Sequence, residues 1–212
     1  MKLPYDAILF DFDGVILDTM GIKTEAFKTM FSSYGTKVVN KVIEYHIKNG
    51  GISRQKKFKY FYENFLMRPL SDEELNELCS TFSDLVLQKT LDAPWIAGVQ
   101  DFLESNYKDN DFFIISGIPQ DELDFIVSKR GLKKYFKEVQ GSPKSKVDSI
   151  KDIVSRYYYR PPQTLYIGDS LSDWVDAQLA GINFLGLTSE PKFPNGTKTI
   201  KDFTGELDAL QS

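Results

Sequence analysis

Two aspartates two positions apart, Asp11 and Asp13, follow directly on the apolar run Ala7 to Phe10. Successive residues of an extended strand alternate faces, so both carboxylates project to the same side at the strand's end. Burying acids there is costly unless a metal or a reaction compensates their desolvation. Attack on a phosphate ester suits such a pair. A positioned carboxylate at Asp11 displaces in line and divides one hard step into two easier ones. Asp13 can protonate the leaving alcohol and then take a proton from the hydrolytic water. Mg²⁺ prefers hard oxygen ligands and would screen the repulsion between Asp11 and the phosphate. Its expected ligands are Asp11, the backbone carbonyl of Asp13 and Asp169, with Asp173 in or just outside that set.

Other strand-like runs end in related chemistry. Ser116 and Gly117 follow Phe112 to Ile115, and Gly168 and Asp169 follow Thr164 to Ile167, with Asp173 four residues further on. Ser116 and nearby backbone N–H groups, Gly117 among them, are expected to bind the phosphoryl oxygens. The loop Gly141 to Lys146 carries two lysines, Lys144 and Lys146, either of which can neutralise remaining charge. Taken singly, Ser116 also suits a turn, the lysines suit a solvated surface, and Asp169 suits a helix cap. Their shared location carries the reading, because open parallel sheets bind ligands beyond the carboxyl ends of their strands.

The elements that must position these groups are legible as an alternation. Short apolar runs at 7–10, 112–115, 164–167 and 182–187, with a further candidate at 137–140, are separated by helix-like stretches at 98–107, 119–130, 143–158 and 171–180. This predicts an α/β fold, a Rossmann-like parallel sheet with helices on both faces. Residues 20–92 differ. Apolar positions there recur at helical spacing (Ala26, Phe27, Met30, Phe31; Phe58, Phe61, Tyr62, Phe65; Leu75, Leu78, Phe82, Leu85), and Ser71 with Glu74 reads as a capping box. The expected division is a core of 1–19 and 93–212 interrupted by a helical insert over 20–92, with a return linker near Pro94 and Gly98.

Composition narrows the classes. The chain has 212 residues, 42% hydrophobic and 26% charged, enough for a full core. Its net charge of −4, with no basic stripe, speaks against nucleic acid as partner. One cysteine (Cys79) and one histidine (His46) make a His/Cys zinc site a poor expectation. The absence of a long apolar run argues against a membrane partner, and the composition suits a reducing, cytoplasmic setting.

Asp11 to Thr19, Asp-Phe-Asp-Gly-Val-Ile-Leu-Asp-Thr, closely resembles the first motif of the haloacid dehalogenase (HAD) superfamily. Ser116 in Ile-Ile-Ser-Gly is similar to its second motif, Lys146 in Lys-Val-Asp-Ser-Ile to its third, and Gly168 to Asp173 to the GDxxxD form of its fourth. The resemblance implies a Mg²⁺-dependent phosphatase acting through an aspartyl-phosphate on a small phosphorylated metabolite. Asp11 would be nucleophile, Asp13 acid/base and Lys146, rather than Lys144, the motif-three lysine. It also makes the insert a C1 cap, a helical lid as in phosphoglycolate phosphatase and β-phosphoglucomutase relatives. Gly50 to Arg54 is similar to the substrate loop of such caps, with Arg54 as the expected clamp for an anionic group on the leaving portion. The alternative readings of Arg54 and of His46 are an exposed helix-start residue, in a basic patch with Lys56, Lys57 and Lys59, and a partly exposed helical one. Two departures shape the functional expectation. Lys23 stands where β-phosphoglucomutases carry a cap histidine, which disfavours a phosphomutase, and the acid at Asp13 disfavours dehalogenation. The alternatives are a β-phosphoglucomutase-like phosphomutase and a noncatalytic binding or regulatory domain on the same scaffold.

Overall fold

The computed structural model describes residues 3–188 and 192–205. Among these, six strands form one parallel sheet in the order β3-β2-β1-β4-β5-β6. The strands are β1 (Ala7–Phe10), β2 (Asp111–Pro119), β3 (Glu138–Ser142), β4 (Thr164–Gly168), β5 (Asn183–Leu187) and β6 (Thr199–Ile200). The helices are α1 (Met20–Phe31), α2 (Thr36–Lys48), α3 (Arg54–Asn64), α4 (Asp72–Asp92), α5 (Val99–Asn106), α6 (Gln120–Lys129), α7 (Lys146–Arg156) and α8 (Leu171–Ala180).

Alternation along the strands builds two cores. Ile8, Phe10, Phe112, Ile114, Leu165 and Ile167 pack with α5 and α6 on one face, while Ala7, Leu9, Phe113, Ile115 and Tyr166 pack with α7 and α8 on the other. Strands buried on both faces read as continuous apolar runs, which is why β1 and β4 were legible. The central pairing sets Phe10 level with Ile114 and Ile167, so β1, β2 and β4 approach their carboxyl ends together. β2 continues past Ile115 to Pro119 with an irregularity between those residues, so Ser116 lies within the strand rather than after it. α7 starts at Lys146, not 143, because Ser145 is its N-cap and accepts from the Asp148 N–H (3.2 Å). The two-residue β6 is too short to leave a pattern.

Helices α1 to α4 bury a separate cluster rich in phenylalanine. Phe27 meets Phe82 at a tilt (centroids 4.6 Å) and Phe58 and Phe61 edge-on, contacts of about 0.5–1.5 kcal/mol each beyond area burial. The Ser71/Glu74 capping box opens α4 as expected. The two crossings between helices and sheet lie side by side: the Asp18 N–H donates to Pro94 O and the Ile96 N–H to Ile16 O. No helix among the described residues is long and apolar enough to cross a membrane.

Candidate active site

Asp11 is the first residue past β1, its N–H donating to Ile167 O of β4 (2.9 Å). The sheet thereby places its carboxylate at the centre of the strand ends, 2 % exposed. Lys146 Nζ reaches Asp11 Oδ2 at 2.8 Å and Asp173 Oδ1 at 2.6 Å. Lys144 instead pairs with Asp152 on the surface, so Lys146 is the lysine brought to the acids. Burial alone would lower the Lys146 pKa, but Asp11 and Asp173 hold it well above the ordinary value. Lys146 is a fixed cation.

Asp173 is fully buried and also accepts from Tyr166 OH and the Ser170 N–H, both at 3.0 Å. Ser170 caps α8, with Asp173 completing a capping box. Burial would raise the Asp173 carboxyl, yet Lys146, Ser170 and Tyr166 bring it below the usual range. Asp173 thus aims Lys146 at Asp11. Tyr166, unremarked in the sequence because it sits inside an apolar strand, locks that acid. Trp174 packs against the α7/α8 core, and Asp176 turns to an outer cleft.

Asp13 accepts from Thr19 Oγ1 (2.6 Å) and from the Lys23 ammonium of α1. Burial would lift its pKa, but Lys23 and Thr19 bring it below the ordinary value. The carboxylate form is therefore the resting one. Ser116, 1 % exposed, accepts from the Ile118 N–H and lines the outer cleft with Gly117 and Lys146.

Asp11, Asp169 and Asp173 present carboxylate oxygens within 4.8 Å of one another, all buried. Burial pushes the Asp11 pKa well above normal, and Asp173, Asp169 and Asp13 add to this against Lys146. Asp169 is pushed up to about 7 by burial, then by Asp173, against the pull of Lys192 and Lys146. Hard oxygens crowded with excess negative charge fit a divalent cation such as Mg²⁺. Gly14, in a left-handed conformation (φ +74°), keeps this room open, since a Cβ there would lie 2.6 Å from Asp169 Oδ2.

The pH dependence follows. A carboxyl whose folded pKa is raised favours the fold while protonated, and that contribution is lost as pH climbs from its unfolded value toward about 7 for Asp169. Asp13 and Asp173, held low, change their contributions only in more acid solution. Metal-free protein should therefore lose stability between about pH 4 and 7, and Mg²⁺ should reverse the trend, adding about 2.7 kcal/mol at a hundredfold excess over Kd. Thermal melts across this range with and without Mg²⁺ check it; identical curves would remove the cation from the site.

The 50–54 loop descends onto the strand ends. The Gly51 N–H donates to Ser170 Oγ (3.2 Å), and a Cβ at Gly51 would lie 2.7 Å from Ser172 Oγ and 2.8 Å from Asp173 Oδ1. Only glycine allows so close an approach. Arg54, however, is neither exposed nor free. Its Nη2 pairs with Glu122 Oε1 of α6 at 2.7 Å, its Nη1 donates to Ser83, Ser83 in turn donates to Glu122 (2.7 Å), and its guanidinium lies over Phe82. The expected anion clamp is thus corrected: the guanidinium is spent on fastening α3 and α4 to α6. Arg54→Ala would leave Glu122 buried without its cation and should cost about 3–5 kcal/mol in denaturant unfolding. If the site hydrolyses phosphate esters, the rates for p-nitrophenyl phosphate and for larger esters should then fall by the same factor, whereas a loss confined to larger esters would restore the clamp.

α3 turns Arg54, Lys57, Phe58 and Phe61 to one buried face, the i, i+3, i+4, i+7 spacing of an inward stripe. That spacing was the available signal that Lys57 is not a surface charge. His46, expected to be partly exposed, is 1 % exposed. Lys57 Nζ lies 2.9 Å from His46 Nδ1, within hydrogen-bonding distance, and donates to Gly50 O (3.2 Å). Both residues line a narrow, partly open chamber of about 30 Å³ with Asp11, Asp13, Lys23, Arg54 and Lys146. Gly51, Ile52, Gly117 and Lys146 border both this chamber and the outer cleft of about 400 Å³.

The pattern of the family described as haloacid dehalogenase-like hydrolase matches residues 8–187. Among solved structures, the chain is similar to β-phosphoglucomutase from Clostridium difficile (TM-score 0.77, 16% identity, covering 94% of this chain and 92% of that one). CbbY from Rhodobacter sphaeroides, in complex with phosphate, gives a TM-score of 0.75 at 15% identity over 98% and 100%. A predicted phosphoglycolate phosphatase from Haemophilus somnus gives 0.73 at 17% over 98% and 99%. No protein with a curated description matches the sequence.

Proposed function

We propose, from the premise that this chain belongs to the haloacid dehalogenase-like hydrolases, that it is a Mg²⁺-dependent phosphatase hydrolysing a small phosphorylated metabolite through an aspartyl-phosphate. The observation that carries this reading is the buried Asp11 carboxylate, paired with Lys146 and lining a narrow chamber beside Asp13.

In the first half-reaction an Asp11 oxygen attacks phosphorus, the bond to the leaving alcohol breaks, and Asp13 delivers the proton that the alcohol needs. In the second, water attacks the acyl-phosphate and gives its proton to Asp13, releasing inorganic phosphate and restoring Asp11. Lys146, Ser116 and the Gly117 backbone receive the phosphoryl charge. Asp11, Asp169, Asp173 and the Asp13 carbonyl are the proposed groups around Mg²⁺, which when bound would screen the approach of two anions. The Lys23 contact holds Asp13 in the form that accepts a proton, so the first half-reaction requires that contact to loosen. Lys23 belongs to α1, so a lid formed by residues 20–92 would couple its own movement to the acid/base state of Asp13.

The test is a phosphate-release screen with Mg²⁺ across sugar phosphates, short phosphoacids and nucleotides. Release of phosphate from any of these supports the reading. Interconversion of sugar phosphates without release would favour the phosphomutase, the reading to which the similarity with β-phosphoglucomutase lends weight. Inactivity across the panel would favour a noncatalytic domain.

A further inference from the structure

Four cationic side chains line the chamber in front of Asp11, with Lys146, Arg54 and Lys57 buried and Lys23 part-buried, and three are balanced by the protein itself. Lys146 faces Asp11 and Asp173, Lys23 faces Asp13, and Arg54 faces Glu122. Lys57 is the exception. It is 3 % exposed, and among the described residues no carboxylate lies within ion-pairing distance of it. Its protein partners are a histidine ring nitrogen and one carbonyl, two acceptors for an ammonium with three donors. An unpaired buried charge is costly, and an anion supplied from outside the protein would remove that cost.

The surroundings define that ligand. A charged Lys57 can only donate to His46 Nδ1, which then puts the imidazole proton on Nε2, an atom with no hydrogen-bond partner among the described residues. Burial, then the Lys57 charge, lowers the His46 pKa to about 2, so the ring stays neutral and brings no second positive charge. Burial, then Lys23, lowers the Lys57 pKa to about 7, and a bound anion would restore the charged form. The transferred phosphoryl group is already provided for on the sheet side by Lys146 and Ser116. Lys57 stands on α3, across the chamber in the helical part of the chain, where a leaving group would lie. Asp11 and Lys57 line the same narrow space, so an anion that reaches Lys57 from a phosphoryl group on Asp11 belongs to a short chain.

We infer that Lys57, oriented by His46, is a specificity-determining residue that receives a carboxylate on the substrate's leaving group, selecting short phosphorylated carboxylic acids over uncharged phosphate esters of equal size. The inference rests on the phosphatase reading, and the following test separates the two. 2-Phosphoglycolate and ethyl phosphate differ in that one carries a carboxylate where the other ends in methyl. Their binding to Asp11→Asn protein in Mg²⁺ is measured by calorimetry with and without Lys57→Met, alongside phosphate release by otherwise wild-type protein and Lys57→Met.

Lys57→Met should weaken 2-phosphoglycolate binding, and lower its kcat/KM, by about 10–100-fold, the span of a lost hydrogen bond to a charged group. Ethyl phosphate should change by less than about threefold. Lys57→Gln, which keeps a polar end without the charge, should behave as Lys57→Met, and melting curves of both variants report whether the fold holds. An equal loss for the two ligands would place Lys57 at the phosphoryl group or in the structure and overturn the inference. So would no loss for either. A selective binding loss in protein that hydrolyses neither ester would uphold Lys57 as the carboxylate receptor while refuting the phosphatase reading.

Discussion

Asp11→Asn lowers phosphate release by at least about 10⁴-fold and leaves the protein folded; this is the expected result with the largest effect. The amide matches the carboxylate in shape but is a far poorer nucleophile and carries no charge for the cation. The fold should tolerate the exchange because Lys146 keeps Asp173 at 2.6 Å, and because four neighbouring acids lose one member. Without Mg²⁺ the variant should melt no lower than wild type, since the Asp11 charge is opposed by burial and by Asp173, Asp169 and Asp13. Phosphate release measured with deamidation excluded by mass spectrometry, together with melting curves, checks both halves. Near-wild-type turnover would end the covalent mechanism.

Asp13→Asn is expected to slow turnover by about 10²–10⁴-fold, the usual worth of a positioned acid/base. The hydrogen bond from Thr19 can survive on the amide oxygen, whereas Lys23 loses the carboxylate that holds it. Asp11 can still attack, so esters with good leaving groups, which need little protonation, should suffer less in phosphoenzyme formation than alkyl esters. Single-turnover kinetics on p-nitrophenyl phosphate and an alkyl phosphate separate the steps. Equal losses for both, with phosphoenzyme formation limiting in each, would take the general-acid role away from Asp13.

Most of the core was legible because its signals are local. β1 and β4 are buried on both faces and therefore appear as unbroken apolar runs, and the helices between them follow from the alternation that a parallel sheet requires. The acids at the strand ends stood out because a charged residue after such a run has no cheap structural explanation. The choice of Lys146 over Lys144 depended on resemblance, since two lysines two residues apart are chemically alike in sequence. Ser145 resolves it physically: by capping α7 it starts the helix at Lys146 and turns that side chain toward Asp11, leaving Lys144 to Asp152.

By itself the sequence determined the α/β class, the helical character of residues 20–92 and the identity of the acids, because periodicity and desolvation cost are properties of neighbouring residues. Tertiary structure alone decided which charges are spent and which are free. Arg54 and Lys57 are three residues apart on the same helix face, and nothing local distinguishes them. Glu122, 68 residues along the chain from Arg54, neutralises one, while His46 and Gly50 leave the other without an anion. Charge compensation in a buried site depends on distances across the fold, and those exist only once α3 has been packed against α6 and the strand ends.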